Sequence, residues 1–295
     1  MILGRLKQAI VQMMSWVNPT FVHHIRQSHS VRAAARREAC EWDVRIADVL
    51  ACPDNKRIPK HPNAGRIRGN LQTLFNGMQV VVDGYYGTGM TRLLRKNMGS
   101  HEPQEELVFQ DVLQRLPTGA RMLECGAYWA FYSLWFAREV TDGHVWLIEP
   151  EAENLEVGRK NFTINGLRAH FTRAMVGCVS AEGNPPVVCI DNFLEHHQVD
   201  HLEILHADIQ GAEVDMLRGS ARALSTQQVD YIFISTHGES LHSECIDMLR
   251  GFDYEVAVSI RPCESFSVDG LVVAHRKRMF DTPLLMPSRK HVCQD

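Results

Sequence analysis

Apolar and polar positions follow two different spacings along this chain, and the two spacings alternate. From Arg121 onwards, short runs rich in Val, Ile and Leu are each followed by a longer stretch whose apolar residues recur every three or four positions. The short runs indicate buried strands, and the longer stretches indicate amphipathic helices. Their alternation predicts an α/β fold, with a parallel sheet, helices on both faces and right-handed crossovers.

The individual elements can be assigned from this pattern. The predicted strands are RMLEC, HVWLIE, HFTRAMVG, PVVCI, HLEILHAD and VDYIFIST, followed by YEVAVSI and GLVVAHR as a closing pair. The predicted helices are WAFYSLWFAREV, EAENLEVGRKNFTING, AEVDMLRGSARAL and SLHSECIDMLRGF. Two of these helices end on a glycine, Gly166 or Gly251, which is a common way to end a helix.

The chain before Arg121 has a weaker pattern. Residues 1 to about 70 predict helices and irregular linkers, and CPDNKRIPKHPNAGRIRGN marks a boundary because it is rich in Pro, Gly, Asn and charge. MQVVVDGYY predicts a strand, and SHEPQEELVFQDVLQRL predicts a helix with Ser100 as a cap and Pro103 in its first turn. We expect an N-terminal helical region and linker over 1–74, the main domain over 75–280 and a tail over 281–295.

The first segment, MILGRLKQAIVQMMSWV, predicts an amphipathic helix. We expect it to pack on the main domain or on a second subunit, which would make a homodimer. Binding to a membrane surface is the weaker alternative, because its polar face carries few Lys and Arg. A signal peptide fits poorly, and no run of about 18 apolar residues predicts a transmembrane segment. Met13, Met14 and Trp16 are most simply packing residues, as are Trp129 and Trp135.

Charge and cysteine content narrow the class of protein. A net charge of −4 gives no indication of a nucleic-acid partner. The eight cysteines form no CxxC pair, so a zinc ribbon or a thioredoxin-like site is disfavoured. Cys125 and Cys189 lie in apolar runs, which is typical of buried free thiols in a reducing cytosol. We therefore expect a cytoplasmic protein.

The ends of the predicted strands carry the candidate chemistry, because ligands of open α/β sheets bind beyond the carboxyl ends of the strands. The first such end reads Glu124-Cys125-Gly126-Ala127, where a glycine permits a sharp turn and close approach to a ligand. Glu149 follows 23 positions after Gly126, at the end of the next strand. An acidic residue at this spacing can accept hydrogen bonds from ribose hydroxyls. The pair predicts a site for an adenosine-containing cofactor.

The loop after the first strand distinguishes between cofactors. A dinucleotide has a pyrophosphate, which requires several glycines at close range. Here Gly126 is followed by Ala127, Tyr128 and Trp129, which would crowd a pyrophosphate. S-adenosylmethionine has no phosphate but has a sulfonium and an amino-acid end, for which Glu124 and the loop backbone are suitable partners. We therefore predict S-adenosylmethionine as the cofactor.

Two later strand ends supply candidate catalytic residues. HADIQGAE places Asp208 at the sheet edge and Glu213 in the first turn of the next helix, and STHGES places His237 at the same edge. We expect these three side chains to converge, with His206 near them. A neutral histidine suits proton removal from a hydroxyl near pH 7. The carboxylates would orient it or, as a less favoured alternative, Asp208, Glu213 and His237 would hold a divalent metal.

Two other features are better explained without a site. NPPVV at 184–188 resembles the motif of amino-methylating enzymes, but Val187 cannot stack on a planar target, so we interpret it as a loop. His196, His197 and His201 invite a metal interpretation. Because no cysteine or regular ligand spacing accompanies them, a solvated loop is favoured.

At this point the sequence resembles the FkbM family of S-adenosylmethionine-dependent methyltransferases over roughly residues 75 to 275. The segments that carry the resemblance are MLECGAYWAFYSLWFA, VWLIEPEAENLEVGRKNFTINGL, VCIDNF and LEILHADIQGAEVDMLRG, with SHEPQEELVF upstream. The resemblance implies a Rossmann-like seven-stranded methyltransferase sheet and O-methylation of a sugar, glycan or natural-product hydroxyl. It implies a functional role for Asp208 and Glu213. The expected cofactor-binding residues are Glu102, Glu124, Gly126, Ala127, Tyr128, Glu149, Pro150 and Asn154.

Two positions depart from the family pattern. The family's glycine loop usually reads GANxG, but here Tyr128-Trp129-Ala130 replaces Asn-x-Gly. The family often has Lys where this chain has His206. These changes leave two alternatives to an O-methyltransferase: a methyltransferase-like scaffold without activity and, less favoured because of the missing glycines, a nucleotide-dependent oxidoreductase.

Overall fold

The computed structural model describes residues 38–277 and 283–291. The predicted N-terminal amphipathic helix, with Met13, Met14 and Trp16, lies outside these residues. Contacts between Cα atoms divide the chain into two units, Met1–Ile46 and Ala47–Asp295. In the first unit, residues 38–46 are helical, and the Arg45 guanidinium lies 5.1 Å from the centre of the Trp42 ring.

The second unit contains the predicted alternation of strands and helices. Its strands are β1 Ile67–Arg68, β2 Leu71–Thr73, β3 Gln79–Val81, β4 Arg121–Cys125, β5 His144–Ile148, β6 His170–Thr172, β7 Met175–Val176, β8 Val187–Val188, β9 Leu202–Ala207, β10 Val229–Thr236, β11 Tyr254–Ile260 and β12 Gly270–Arg276. Its helices are α1 Gly87–Lys96, α2 Pro103–Leu113, α3 Phe131–Glu139, α4 Ala152–Ile164, α5 Ile190–His196, α6 Glu213–Arg218, α7 Ala221–Ser225 and α8 Glu239–Gly251. No helix in the described part of the chain is both long and apolar enough to cross a membrane.

Seven of the strands form one sheet in the order β11-β12-β10-β9-β4-β5-β6. The pairs from β10 through β9, β4 and β5 to β6 are parallel, and β12 is antiparallel to both β10 and β11. After β4 the chain builds outward through β5 and β6, and after β9 it builds outward on the other side. The order therefore reverses between β4 and β9, where doubly wound sheets bind ligands. The Rossmann-like seven-stranded α/β fold and its closing strand pair are confirmed.

The central strands are buried on both faces, which explains their continuous apolar runs. All eight residues of β10 are buried, as are four of the five in β4. Parallel strands covered by helices on each side have this composition. Cys125 and Cys189 are buried in this core as free thiols, as predicted.

Three local predictions were wrong. HFTRAMVG divides into β6, in the large sheet, and β7, which pairs with β8 in a separate two-stranded sheet. The break falls at Arg173, whose guanidinium donates to the carbonyl oxygen of Pro150 and to Asn184. The boundary segment before residue 70 contains β1, which forms a three-stranded sheet with β2 and β3 rather than a linker. Ser100 does not cap α2: its hydroxyl donates to Glu106, and Glu102 occupies the cap position.

Helix α2 is almost entirely buried, including its acidic residues Glu105 and Glu106. A carboxyl-terminal segment, residues 283–291, packs beside it. The backbone N–H of Ser288 donates to the buried carboxylate of Asp54 at 2.7 Å, and the Gln104 amide donates to the Ser288 carbonyl oxygen at 2.7 Å. These bonds tie the start of α2 to residues that are distant in the sequence.

Candidate functional site

The two loops at the switch point touch each other through their backbones. The Asp208 N–H donates to the Cys125 carbonyl oxygen at 3.0 Å. Gly126 has φ of +75°, and a Cβ at this position would lie 1.8 Å from the Asp208 carbonyl oxygen. The sequence predicted this glycine for close approach to a ligand. In the structure the closest group is the neighbouring loop, so the fold itself requires glycine here.

A cavity of about 380 Å³ opens at this switch point. This volume lies in the range of small-molecule sites. All eight residues predicted to bind cofactor line it: Glu102, Glu124, Gly126, Ala127, Tyr128, Glu149, Pro150 and Asn154. Asp208 and His206 also line it, whereas Glu213 and His237 are not among its lining residues.

Glu149 is held rigidly at the end of β5. Its carboxylate accepts hydrogen bonds from the backbone N–H of Tyr128 at 3.0 Å and of Glu151 at 2.9 Å. The Asn154 amide adds a third donor at 3.3 Å. Burial raises the pKa of Glu149, and these donors oppose the shift. The carboxylate is thus oriented at the cavity wall before any ligand arrives.

The residues that replace the family's Asn-x-Gly do not fill the cavity. The Trp129 ring stacks on Tyr85 with centroids 4.6 Å apart and planes at 6°. Trp129 is 5% exposed, so it packs as predicted. The Tyr128 backbone supports Glu149 while its ring lies at the side of the cavity, perpendicular to Tyr85. The altered loop therefore leaves the cavity open.

Glu124 and His206 lie side by side on neighbouring strands, in register across β4 and β9. The Glu124 carboxylate accepts from the Ser133 N–H at 3.0 Å, and burial raises its pKa. His206 Nε2 lies 2.7 Å from Glu105 Oε1. Burial opposes protonation of His206, but the hydrogen bond and charge of Glu105 outweigh it and raise the pKa.

His206 also has a polar atom without a protein partner. It is 1% exposed and lines the cavity, and its Nδ1 has no hydrogen-bond partner in the described part of the chain. Buried polar atoms are normally satisfied. An unsatisfied ring nitrogen beside a cavity is consistent with a water or a bound ligand as its partner.

Glu102 lies at the inner end of the cavity. Its Oε2 accepts from the Tyr132 hydroxyl at 3.1 Å and lies 3.4 Å from His101 Nε2. Burial raises the pKa of Glu102 to about 7; the nearby charges of Glu105 and Asp208 add to the shift, and His101 opposes it. This carboxyl therefore changes charge near neutral pH.

The structure brings Asp208, Glu213 and His237 together behind the cavity wall. His237 Nδ1 lies 2.6 Å from Glu213 Oε1, and its Nε2 lies 3.2 Å from Asp208 Oδ1 and 3.3 Å from Asp269 Oδ1. Burial lowers the pKa of His237, but the hydrogen bonds to Asp208 and Glu213, with the charge of Asp269, raise it to about 10. The ring is therefore an imidazolium at neutral pH and cannot take a proton there.

The candidate metal ligands group differently from either prediction. Among residues 38–277 and 283–291, one set of three side chains places its ligand atoms within 4.8 Å of one another: His201, Glu203 and Asp230. The Arg276 guanidinium lies 2.7 Å from Asp230 Oδ1, so a cation already faces this group. Asp208, Glu213 and His237 do not form such a set within these residues.

Several residues of the site were missed in the sequence. Tyr85, Tyr86, His101 and Tyr132 line the cavity, and Glu105 supports His206 from behind. The pattern HEPQEE did contain a signal, because three acidic residues open a helix whose remaining positions are mostly apolar. The two tyrosines lie before α1 in a stretch without periodicity, and nothing in the sequence connects them to Tyr128.

A cavity at the switch point of an open, mostly parallel sheet defines the doubly wound α/β class, in which ligands bind at this crevice. Residues 179–256 match the family model described as Methyltransferase FkbM domain. The chain therefore carries an FkbM methyltransferase domain, matched over the part that includes Asp208, Glu213 and His237. The resemblance is confirmed there. The comparison with curated proteins found no match.

Solved structures with a similar fold include three methyltransferases or methyltransferase complexes at low identity. Magnesium protoporphyrin IX methyltransferase from Synechocystis, with bound SAM, is 9% identical, with a TM-score of 0.42 and coverage of 59% of this chain and 77% of that chain. The O-methyltransferase TomG from Streptomyces achromogenes, in complex with SAM, is 17% identical, with a TM-score of 0.40 and coverage of 60% and 80%. TrmK from M. capricolum, in complex with S-adenosylhomocysteine, is 10% identical, with a TM-score of 0.40 and coverage of 57% and 67%.

Proposed function

We propose that this chain is an S-adenosylmethionine-dependent methyltransferase that transfers a methyl group to a hydroxyl. The observation that carries the proposal is Glu149, whose carboxylate is held at the cavity wall by the Tyr128 and Glu151 N–H groups. A carboxylate at the end of the second strand suits the two hydroxyls of a ribose. The FkbM domain match over residues 179–256 supports methyl transfer.

The charge of the cavity favours this donor over a dinucleotide. Its described lining contains five carboxyl residues and no Lys or Arg; the five are Glu102, Glu124, Glu149, Glu151 and Asp208. A pyrophosphate would be repelled by such a wall, whereas a cationic ligand is favoured. S-adenosylmethionine carries a sulfonium and an ammonium, and it would supply an electrophilic methyl group.

The chain's own residues would then act by holding and orienting. Glu149 would bind the ribose, and Glu124 and Glu102 would bind the ammonium end. Asp208 lines the cavity and is our candidate to accept the hydroxyl proton. His237, as an imidazolium 3.2 Å from Asp208 and 2.6 Å from Glu213, would hold Asp208 in place rather than act as the base. Such positioning supplies much of the acceleration in transfer reactions.

The test is calorimetric titration of the purified protein with S-adenosylmethionine, S-adenosylhomocysteine and NADH, with and without Mg²⁺. We expect micromolar binding of the first two ligands and none of NADH. Tight binding of NADH alone would favour the oxidoreductase alternative. A panel of hydroxylated acceptors then tests turnover, for which Asp208→Asn should keep cofactor affinity and lose activity.

A second candidate is a methyltransferase-like scaffold without activity, and the Tyr128-Trp129 loop is the feature that favours it. The two candidates differ in a simple observation. A scaffold would bind neither S-adenosylmethionine nor S-adenosylhomocysteine, because its site would no longer be maintained. The open cavity and the oriented Glu149 carboxylate support the enzyme.

A further inference from the structure

Four aromatic rings cluster at one side of the cavity, and we call them the aromatic rim: Tyr85, Tyr86, Tyr128 and Trp129. Tyr85 lies at the centre, with ring centroids 4.6 Å from Tyr86, 4.9 Å from Tyr128 and 4.6 Å from Trp129. Tyr86 and Tyr128 complete the cluster at 5.4 Å. All four residues line the cavity. None has a role in the donor binding described above except through the Tyr128 backbone.

Two of these tyrosines are held in an unfavourable backbone conformation. Tyr86 has φ of +45° and Tyr128 has φ of +41°. A bulky residue at positive φ costs about 1–2 kcal/mol, and such strain is concentrated at functional sites. Tyr86 gains little burial in return, because it is 46% exposed. Packing alone therefore does not explain why this position carries a large aromatic side chain.

The charge around the rim restricts what can bind to it. In the described part of the chain, the cavity is lined by the five carboxyl residues named above and by no Lys or Arg. An acceptor with a phosphate, sulfate or carboxylate group would be repelled, whereas a neutral or cationic one would not. Aromatic faces also attract cations.

We propose that the aromatic rim binds the acceptor, and that the acceptor is a ring-shaped hydroxyl compound without a negative charge. This inference rests on the proposed function and names the substrate class of the same site. The ring would stack against Tyr86 and Tyr128, so that its hydroxyl points inward towards Asp208. Two sources share this chemistry, a phenol and the apolar face of a neutral sugar.

The test measures binding of matched ring compounds to the protein saturated with S-adenosylhomocysteine. The phenol series is tyramine, tyrosol and 4-hydroxyphenylacetate, which share one ring and carry a positive, neutral or negative tail. The sugar pair is 4-nitrophenyl glucoside and 4-nitrophenyl glucuronide. We expect the neutral and cationic members of at least one set to bind about tenfold more tightly than the anionic member. The set that binds identifies the source.

A variant separates recognition from folding. Asn tolerates positive φ and is a favourable helix N-cap, and Tyr86 is the N-cap of α1. Tyr86→Asn should therefore keep or raise the melting temperature and leave S-adenosylhomocysteine affinity unchanged, while ring compounds bind about threefold to tenfold more weakly. The matched control is Met98→Asn, at φ of +53° and 49% exposed but outside the cavity lining. It should leave ring binding unchanged.

The outcomes are distinct. Equal or tighter binding of the anionic members overturns the charge assignment, and unchanged ring binding in Tyr86→Asn overturns the rim as the acceptor site. If S-adenosylhomocysteine binds but no ring compound does, the substrate class is wrong and the proposed function stands. If S-adenosylhomocysteine does not bind, the proposed function fails and this inference fails with it.

Discussion

Glu149 and Gly126 differ in how far the sequence could explain them. The spacing between them predicted a ribose carboxylate at Glu149, and the cavity and the backbone donors support that position. The reason given for Gly126 was incomplete, because the Asp208 carbonyl oxygen fills the space beside it. Spacing along the chain shows which strand ends meet, but it does not show which loop lies closest. That depends on the pairing of β4 with β9, which are far apart in sequence.

Glu149→Ala should weaken binding of S-adenosylhomocysteine by about 10- to 100-fold, since hydrogen bonds to a charged group contribute roughly 1.5–3 kcal/mol. Titration calorimetry measures this directly. Glu151→Ala is the matched control, because Glu151 also lines the cavity but is exposed. An unchanged affinity in Glu149→Ala would remove Glu149 from the site.

His237 predicts how stability depends on pH. Its pKa is raised from 6.5 to about 10 in the folded protein. Protonation therefore stabilises the fold fully below pH 6.5, and this contribution is lost as pH rises from about 6.5 to about 10. Urea unfolding should show a decline of roughly 2–4 kcal/mol over this interval in the wild type. In His237→Gln the decline should be much smaller, and an equal decline would assign it to other groups.

At the scale of elements, the strands and helices after Arg121 were predicted well, because burial on both sheet faces makes their apolar runs continuous. Helix α2 was predicted as a helix but not as a buried one. Its acidic residues would normally indicate a solvent-exposed face. Here Glu105 accepts from Ser235 and contacts His206, so its charge has partners that lie more than 100 positions away. Partners at that distance leave no local pattern.

The contact between the carboxyl-terminal segment and Asp54 gives a prediction at this scale. Asp54 is fully buried and accepts from Ser288 N, from the Ser288 hydroxyl and from Arg57. Asp54→Ala should reduce the free energy of unfolding by about 2–4 kcal/mol, because it leaves buried donors without a partner. Asp253→Ala removes an exposed partner of Lys277 and should change stability by less than about 1 kcal/mol. Denaturant melts of both variants compare the two. Similar small losses would show that the segment contributes little.

For the whole molecule, the sheet order followed from alternation and crossover handedness, whereas the aromatic rim did not. Tyr85 and Tyr86 come from before α1, and Tyr128 and Trp129 come from after β4. They meet because the loop at the switch point turns back towards the start of α1. The same convergence places Glu102 beside Glu105 and Asp208, which makes the cavity strongly acidic.

This concentration of negative charge makes donor binding depend on pH. The pKa of Glu102 is raised to about 7, so the carboxyl gains its charge as pH rises through this value. Affinity for cationic S-adenosylmethionine should increase several-fold between about pH 6 and pH 8, since each added charge favours the cation. Glu102→Gln should remove most of this dependence in titrations across that range. A dependence that survives the substitution would place the titrating group elsewhere.

The bond between Asp54 and Ser288 also has a consequence for synthesis on the ribosome. The two residues are separated by 234 positions. At ordinary translation speeds of about 5–20 residues per second, Asp54 is made roughly 10–50 s before its partner. Throughout that time Gln104 lacks Ser288 as well, so the start of α2 cannot complete its packing. The nascent protein therefore keeps its acidic inner helix accessible until this late segment emerges, and chaperones have that interval in which to bind it.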